Sequence, residues 1–76
     1  MTIKIFNQTE NKVEETKFNH ILEVFEFLKE NEYWKDDVLT VYTEDEEGNQ
    51  FDLLTIEDWG STVGGLDFYM KKFFNK

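Results

Sequence analysis

The chain has no cysteine, no proline and no arginine, and it has a single serine and a single histidine. Without cysteine there are no disulfide bonds, zinc–thiolate centres or thiol nucleophiles, so the apolar core alone must hold the fold. No run of apolar residues approaches the ~20 that a membrane-spanning helix needs, or the ~7–15 of a signal-peptide core. We therefore expect a cytoplasmic protein that does not bind membranes.

The 76 residues are expected to form one domain, residues 1–76, because a chain this short buries only about 60% of its unfolded surface. Aromatic residues make up 17% of the chain, and eight of them are phenylalanine. Aromatic side chains bury a large apolar area per residue. The composition therefore favours a folded globule despite a net charge of −9.

Acidic residues concentrate in the middle of the chain. Residues 30–67 hold twelve of the seventeen acidic residues and one lysine, whereas residues 68–76 hold three lysines and no acid. A surface of this sign repels nucleic acid and anionic lipid. If the acidity does more than keep the protein soluble, it predicts a basic protein as partner, with no direct binding to nucleic acid.

The first half of the chain predicts a hairpin followed by a helix. Residues 2–7 and 12–18 have strand character and are joined by a polar turn. Asn19 is a suitable N-cap for a helix over about residues 20–31. Four apolar residues follow the i, i+3, i+4, i+7 spacing of an amphipathic helix: Ile21, Val24, Phe25 and Leu28.

The second half predicts another hairpin and a last strand. Residues 38–43 and 51–56 are rich in β-branched and aromatic residues, and the acidic segment between them contains Gly48, which suits a turn. Residues 66–74 alternate apolar and polar at first and are read as a strand, with a helix as the alternative. Short connections favour antiparallel pairing. The expected fold is a two-layer α+β domain of order ββαβββ, with about five mainly antiparallel strands and one amphipathic helix.

The chemistry of an enzyme is poorly represented. A hydrolytic triad would have to use both His20 and Ser61, and Ser61 lies in a glycine-rich loop without the strand–turn–helix context of a nucleophile elbow. An EF-hand loop with Gly48 at its sixth position would place Thr43 and Leu54 where carboxylates are required. We predict a non-enzymatic protein with no catalytic residues, no metal site and no cofactor.

The excess of carboxylates suggests mimicry of nucleic acid. Acidic side chains repeated along a strand or one helix face form charge rows like those of a nucleic-acid backbone. Such a protein would occupy the basic DNA-binding surface of an enzyme. The hypothesis predicts one contiguous face made of Glu23, Glu26, Glu30, Asp36, Asp37, Glu44, Asp45, Glu46 and Glu47.

Residues 38–58, which include Leu53-Leu54-Thr55, resemble the acidic hairpin of the phage uracil-DNA glycosylase inhibitor family. The resemblance spans roughly residues 13–58. It implies that Glu15 and Glu23 contact the enzyme's DNA-binding surface, with Thr16 beside the first, so charge reversal at both glutamates should weaken binding without affecting the fold. It also implies a phage or mobile-element inhibitor of a DNA-handling enzyme such as a glycosylase or a CRISPR nuclease.

A second interpretation belongs to another class of protein. The element order and residues 53–59 also look like a ubiquitin-like β-grasp domain, an interaction module that binds partners through its sheet face. The two interpretations differ in the surface that they expect. Mimicry requires contiguous acids, whereas the β-grasp module requires an apolar sheet patch with acids scattered elsewhere. The oligomeric state stays open in both.

Overall fold

A computed structural model describes residues 2–75, which form four strands, two α-helices and a short 3₁₀ helix. In chain order these are β1 Ile3–Asn7, β2 Lys12–Phe18, α1 Ile21–Glu30, the 3₁₀ helix Glu32–Trp34, β3 Val38–Glu44, β4 Gln50–Glu57 and α2 Gly65–Phe74. The strands form one sheet of order β2-β1-β3-β4, and every neighbouring pair is antiparallel. No helix in the described part of the chain is long and apolar enough to cross a membrane.

The predicted fifth strand and the order ββαβββ are wrong, because the last element is the helix α2 and the order is ββαββα. Leu66 and Tyr69 are three residues apart and both are buried, while Phe68 is 46% exposed. This is helical spacing, and it overrides the short alternation that suggested a strand. The class remains α+β, with a four-stranded sheet and two helices.

Both helices lie on the same face of the sheet. The core contains the predicted stripe of α1 together with Ile5 of β1, Val41 of β3, Ile56 of β4 and two residues of α2. Phe27 is half-buried at its margin, where its ring lies 5.2 Å from that of Phe18 and 5.5 Å from that of Trp34, measured between centroids. A single helix of ten residues would leave part of the apolar sheet face exposed, and α2 covers that part.

The strand pairing defines two ends of the molecule. At one end Ile3 pairs with Phe18 and with Thr43, close to the β3–β4 turn; we call this the tip end. At the opposite end, the far end, Asn7 pairs with Leu39. The helix α1 begins directly after β2, at the tip end, and leads back to β3 at the far end. The seven residues of β3 separate the two ends by about 20 Å.

Candidate acidic interaction surface

The acidic tip, residues 44–49, is an ordered turn. The Asp45 carboxylate accepts hydrogen bonds from the backbone N–H groups of Glu47 and Asn49, both at 2.9 Å, and from the Asn49 side-chain amide at 3.0 Å. Gly48 has φ +86°, and its N–H donates to the Asp45 carbonyl oxygen at 3.1 Å. These bonds, with the Asn49 side chain contributing most, lower the pKa of Asp45. Asp45 is therefore an ionised residue that fixes the turn.

This turn predicts a titration that can be measured. Because folding lowers the pKa of Asp45, its contribution to the turn is present above the unfolded pKa of about 3.9 and is lost as the pH falls through the folded pKa. The amide NMR shifts of Glu47 and Asn49 should therefore move together with a midpoint below about 3.9. Asp45→Asn should abolish the shared step, and a shared midpoint at or above that value would contradict the ordered turn.

The acids around the tip differ in how strongly lysine neutralises them. The half-buried Glu44 carboxylate lies 3.0 Å from Lys4 Nζ, whereas Glu46 and Glu47 are exposed. Between β2 and the tip lies a shallow depression of about 510 Å3, which joins residues from three strands. Its lining consists of Thr2, Lys4, Thr16, Glu44, Asp45 and Glu46. The structure thus brings Thr16 together with the acids of the tip.

Glu15 lies one residue before Thr16 on β2 and has a lysine beside it. Its carboxylate is 3.9 Å from Lys17 Nζ and accepts a hydrogen bond from the Thr16 N–H at 3.3 Å. Lys17 also lies 5.5 Å from the centroid of the Phe27 ring. The charge of Glu15 is therefore partly balanced, whereas within residues 2–75 no lysine forms an ion pair with Glu46 or Glu47.

Glu23 is at the tip end, where it caps α1. Its Oε1 accepts hydrogen bonds from the backbone N–H groups of Asn19 at 2.8 Å and His20 at 2.9 Å. The N-cap is His20, not Asn19 as predicted, and its Nδ1 accepts from the Leu22 N–H at 3.1 Å. This reciprocal arrangement satisfies N–H groups at the start of the helix. Reversing the charge of Glu23 would therefore affect the fold as well as any binding.

Glu23→Ala tests this capping role. The substitution should lower the free energy of unfolding by about 0.5–2 kcal/mol, because it leaves the Asn19 and His20 N–H groups without their acceptor. Glu26→Ala, on the exposed side of the same helix, is the matched control and should cost less. Urea denaturation measures both. Equal losses would show that Glu23 has no capping role.

The other predicted site residues lie away from the tip. Glu26 and Glu30 are exposed along α1 towards the far end. Asp36 and Asp37 directly precede β3 at the far end itself. The eleven predicted residues are therefore distributed between the two ends of the molecule. Thr16, Glu44, Asp45 and Glu46 line the depression at the tip end, and Glu47 belongs to the same turn. Glu23 lies at the start of α1, and Glu15 pairs with Ile5 in the middle of β1.

A buried asparagine organises the far end. Asn7 is fully buried, and its Nδ2 donates to Asp37 Oδ2 at 2.8 Å and to Glu10 Oε2 at 3.3 Å, while its Oδ1 accepts from the Glu10 N–H at 3.0 Å. The Glu14 side chain is only 5% exposed and lies 3.4 Å from Lys12 Nζ. Sequence reasoning missed this cluster. The alternation of buried residues on β1, Ile3 and Ile5, continues to Asn7, and this alternation is the signal that could have predicted a buried polar residue at position 7.

The sheet face opposite the helices mixes polar and apolar residues. Lys4, Thr40, Tyr42 and Thr55 alternate with core residues along their strands, and they therefore point away from the helices. Val13 is an exposed apolar residue of β2 that pairs with Phe6. This mixed composition does not favour the sheet-binding β-grasp interpretation over the acidic-surface interpretation.

The two residues considered for a hydrolytic triad belong to different parts of the fold. His20 is engaged as the N-cap of α1, and Ser61 lies in the loop between β4 and α2. Among residues 2–75, no three histidine or carboxylate side chains are grouped so that they could hold a metal ion.

One exposed aromatic residue stands next to the acidic tip. Phe51 of β4 pairs with Thr43, and its side chain is 53% exposed. Trp34, Trp59 and Tyr69 are buried in the core, and Phe74 is exposed on α2. Comparisons with protein-family models, curated proteins and solved structures found no match to this chain.

Proposed function

We propose that the protein is a non-enzymatic inhibitor that mimics DNA, and that its acidic tip occupies the basic DNA-binding surface of a DNA-handling enzyme. The observation that carries the proposal is the ordered turn, in which Asp45 holds the backbone while Glu46 and Glu47 remain exposed. A preordered anionic surface loses less conformational entropy on binding than a flexible acidic loop. The partner would then meet fixed charges, as it does on a DNA backbone.

The charge around the tip supports a basic partner. Residues 36–70 contain ten acidic residues and no lysine, arginine or histidine. A field of one sign steers an oppositely charged partner and raises its association rate. Phe51, beside the tip, would add an aromatic contact of the kind that anchors protein interfaces.

The ion pairs indicate which acids near the tip keep most of their negative charge uncompensated and should therefore contribute most to binding. Glu44 is paired with Lys4 and Glu15 with Lys17, so these two carboxylates carry less uncompensated charge. Glu46 and Glu47 are the exposed acids of the turn and should contribute most. We assign binding mainly to these two residues, with Glu15, Thr16 and Glu23 at the margin of the interface. The proposal includes a glycosylase or a CRISPR nuclease as the target and a phage origin for the protein. It implies that the protein acts in the cytoplasm.

Capture from a bacterial lysate tests the proposal. The immobilised protein should retain basic DNA-handling proteins that elute with salt, because screening weakens contacts between exposed charges. Mass spectrometry identifies the eluted proteins. A control column carries the Glu46→Gln/Glu47→Gln variant, which matches the side chains in size but lacks two negative charges, and it should retain much less. Retention that is insensitive to both salt and substitution would contradict the proposal.

A further inference from the structure

The exposed side of α2 carries positive charge on an acidic protein. Lys71 and Lys72 follow Phe68 at i+3 and i+4, so the three residues share one side of the helix, away from the buried Leu66 and Tyr69. Phe68 is 46% exposed, and both lysines are exposed. We call Phe68, Lys71 and Lys72 the basic patch, which presents two cations beside an aromatic ring.

The two lysines of the basic patch have no ion-pair partner among residues 2–75. The four ion pairs in this part of the chain involve other lysines, and Asp67, the acidic residue of α2, lies beside Lys29 at 3.9 Å. Lys71 and Lys72 lie in the last turn of α2, where positive charge complements the helix dipole. That interaction leaves both ammonium groups exposed to solvent. They can therefore pair with the carboxylates of another molecule.

The acidic tip has the complementary character. Glu46 and Glu47 are exposed and form no ion pair within residues 2–75. Phe51 beside them is 53% exposed. The tip therefore offers two anions and an aromatic ring, whereas the basic patch offers two cations and an aromatic ring. Opposite charges that meet across an interface attract, and like charges that meet there cost energy.

Only an unlike pairing of these two surfaces is attractive. Two tips would place carboxylate against carboxylate, and two basic patches would place ammonium against ammonium. A second copy of the chain must therefore present its acidic tip to the basic patch of the first. Such a contact is heterologous, because it joins two different surfaces, and it can continue from one copy to the next.

The net charge of −9 opposes this association. Repulsion between whole molecules acts mostly between charges far apart, and charges separated by more than about 10 Å are largely screened at about 0.1 M salt. Ion pairs at the contact are much closer and are screened less. Self-association should therefore be weak, present at about 0.1 M salt, and lost at about 1 M, where the screening length falls to about 3 Å.

We propose that the basic patch on α2 binds the acidic tip of a second copy of this chain, so that the protein self-associates and covers its own tip. The proposal goes beyond DNA mimicry, because it requires only the charges of the two surfaces and no particular target. A tip that is bound to a second copy is not free to bind another protein. Self-association would therefore compete with every other partner of the tip.

Charge reversal on each surface tests the proposal. Lys71→Glu/Lys72→Glu changes the basic patch, and Glu46→Lys/Glu47→Lys changes the acidic tip. Neither variant should self-associate well, because each carries two surfaces of the same sign. An equimolar mixture of the two should regain association, since every tip then meets a basic or acidic patch of opposite charge. A variant that had merely lost its fold could not be rescued in this way.

Sedimentation equilibrium at about 0.1 M salt measures the weight-average mass from micromolar to millimolar protein. The mass of wild type should rise with concentration. Each reversed variant should need at least about tenfold more protein to reach the same mass. The mixture should return to the wild-type curve. Circular dichroism verifies the fold of each variant.

Glu26→Lys/Glu30→Lys is the matched control for net charge. It makes the protein less negative by the same amount as Glu46→Lys/Glu47→Lys but leaves the acidic tip and the basic patch intact. The control should associate at least as strongly as wild type, because whole-molecule repulsion is reduced. Stronger association of Glu46→Lys/Glu47→Lys than of wild type would mean that net charge alone governs the contact, and it would overturn the proposal.

Further outcomes separate this proposal from DNA mimicry. A wild-type protein that stays monomeric at every concentration, or a mixture that shows no gain over its components, would overturn self-association and leave DNA mimicry standing. Association that is unchanged at about 1 M salt would also overturn it. Conversely, failure of the lysate capture together with rescue in the mixture would support self-association and contradict DNA mimicry.

Discussion

Replacing Glu46 and Glu47 with lysine should weaken binding of the captured partner by about a hundredfold at low salt. Each substitution exchanges an exposed carboxylate for a cation facing a basic surface, and a penalty of about 1.4 kcal/mol per site gives a factor of ten each. The loss should shrink as salt is added, because the charges are exposed and therefore screened. Surface plasmon resonance across a salt series measures both effects.

The matched control places the same change of charge elsewhere. Glu26→Lys/Glu30→Lys alters the net charge equally, on the exposed side of α1 and away from the acidic tip. It should slow association modestly through the overall field and leave dissociation almost unchanged. If both pairs weakened binding equally, net charge alone would explain the interaction and the tip would have no special role.

Phe25→Ala should have the largest effect on stability. Phe25 is a fully buried side chain of α1, in the core shared by both helices and the sheet. Truncating a buried phenylalanine costs about 3–5 kcal/mol. A domain of 76 residues has a free energy of unfolding of only about 4–11 kcal/mol. The variant should therefore lose a large part of its stability and unfold at a much lower urea concentration than wild type.

Leu22→Ala is the control for this prediction. Leu22 is a neighbouring residue of α1 that is substantially exposed, so its truncation should cost less than about 1 kcal/mol. Urea denaturation followed by far-ultraviolet circular dichroism measures both variants. A small loss in Phe25→Ala would mean that α1 does not pack as described.

The fold was predictable where the apolar residues of a segment followed a single spacing. In α1 the four apolar residues recur every three or four positions, and all four are buried as predicted. In α2 two patterns compete, because Leu66, Phe68 and Met70 alternate like a strand while Leu66 and Tyr69 have helical spacing. Which of these side chains become buried in the folded protein decides between the two patterns. The same override explains why the sheet has four strands.

The candidate site was predictable only in part. The acidic hairpin and its turn follow from composition and from Gly48, but the division of the acids between two ends depends on strand pairing. Composition also could not show that Glu23 caps a helix, or that Asp37 accepts a hydrogen bond from a buried asparagine. The Asn7–Asp37 contact joins residues 30 positions apart, and the capping role of Glu23 depends on the residue at which the helix begins, so residue type alone specifies neither.

Competition with DNA tests the central claim most directly. A fluorescently labelled duplex is bound to the captured partner, and the protein is titrated into the complex. If the acidic tip occupies the DNA-binding surface, the duplex should be released completely, and the apparent Kd of the protein should rise linearly with duplex concentration. A ternary complex that retains the duplex at saturating protein would contradict mimicry of DNA.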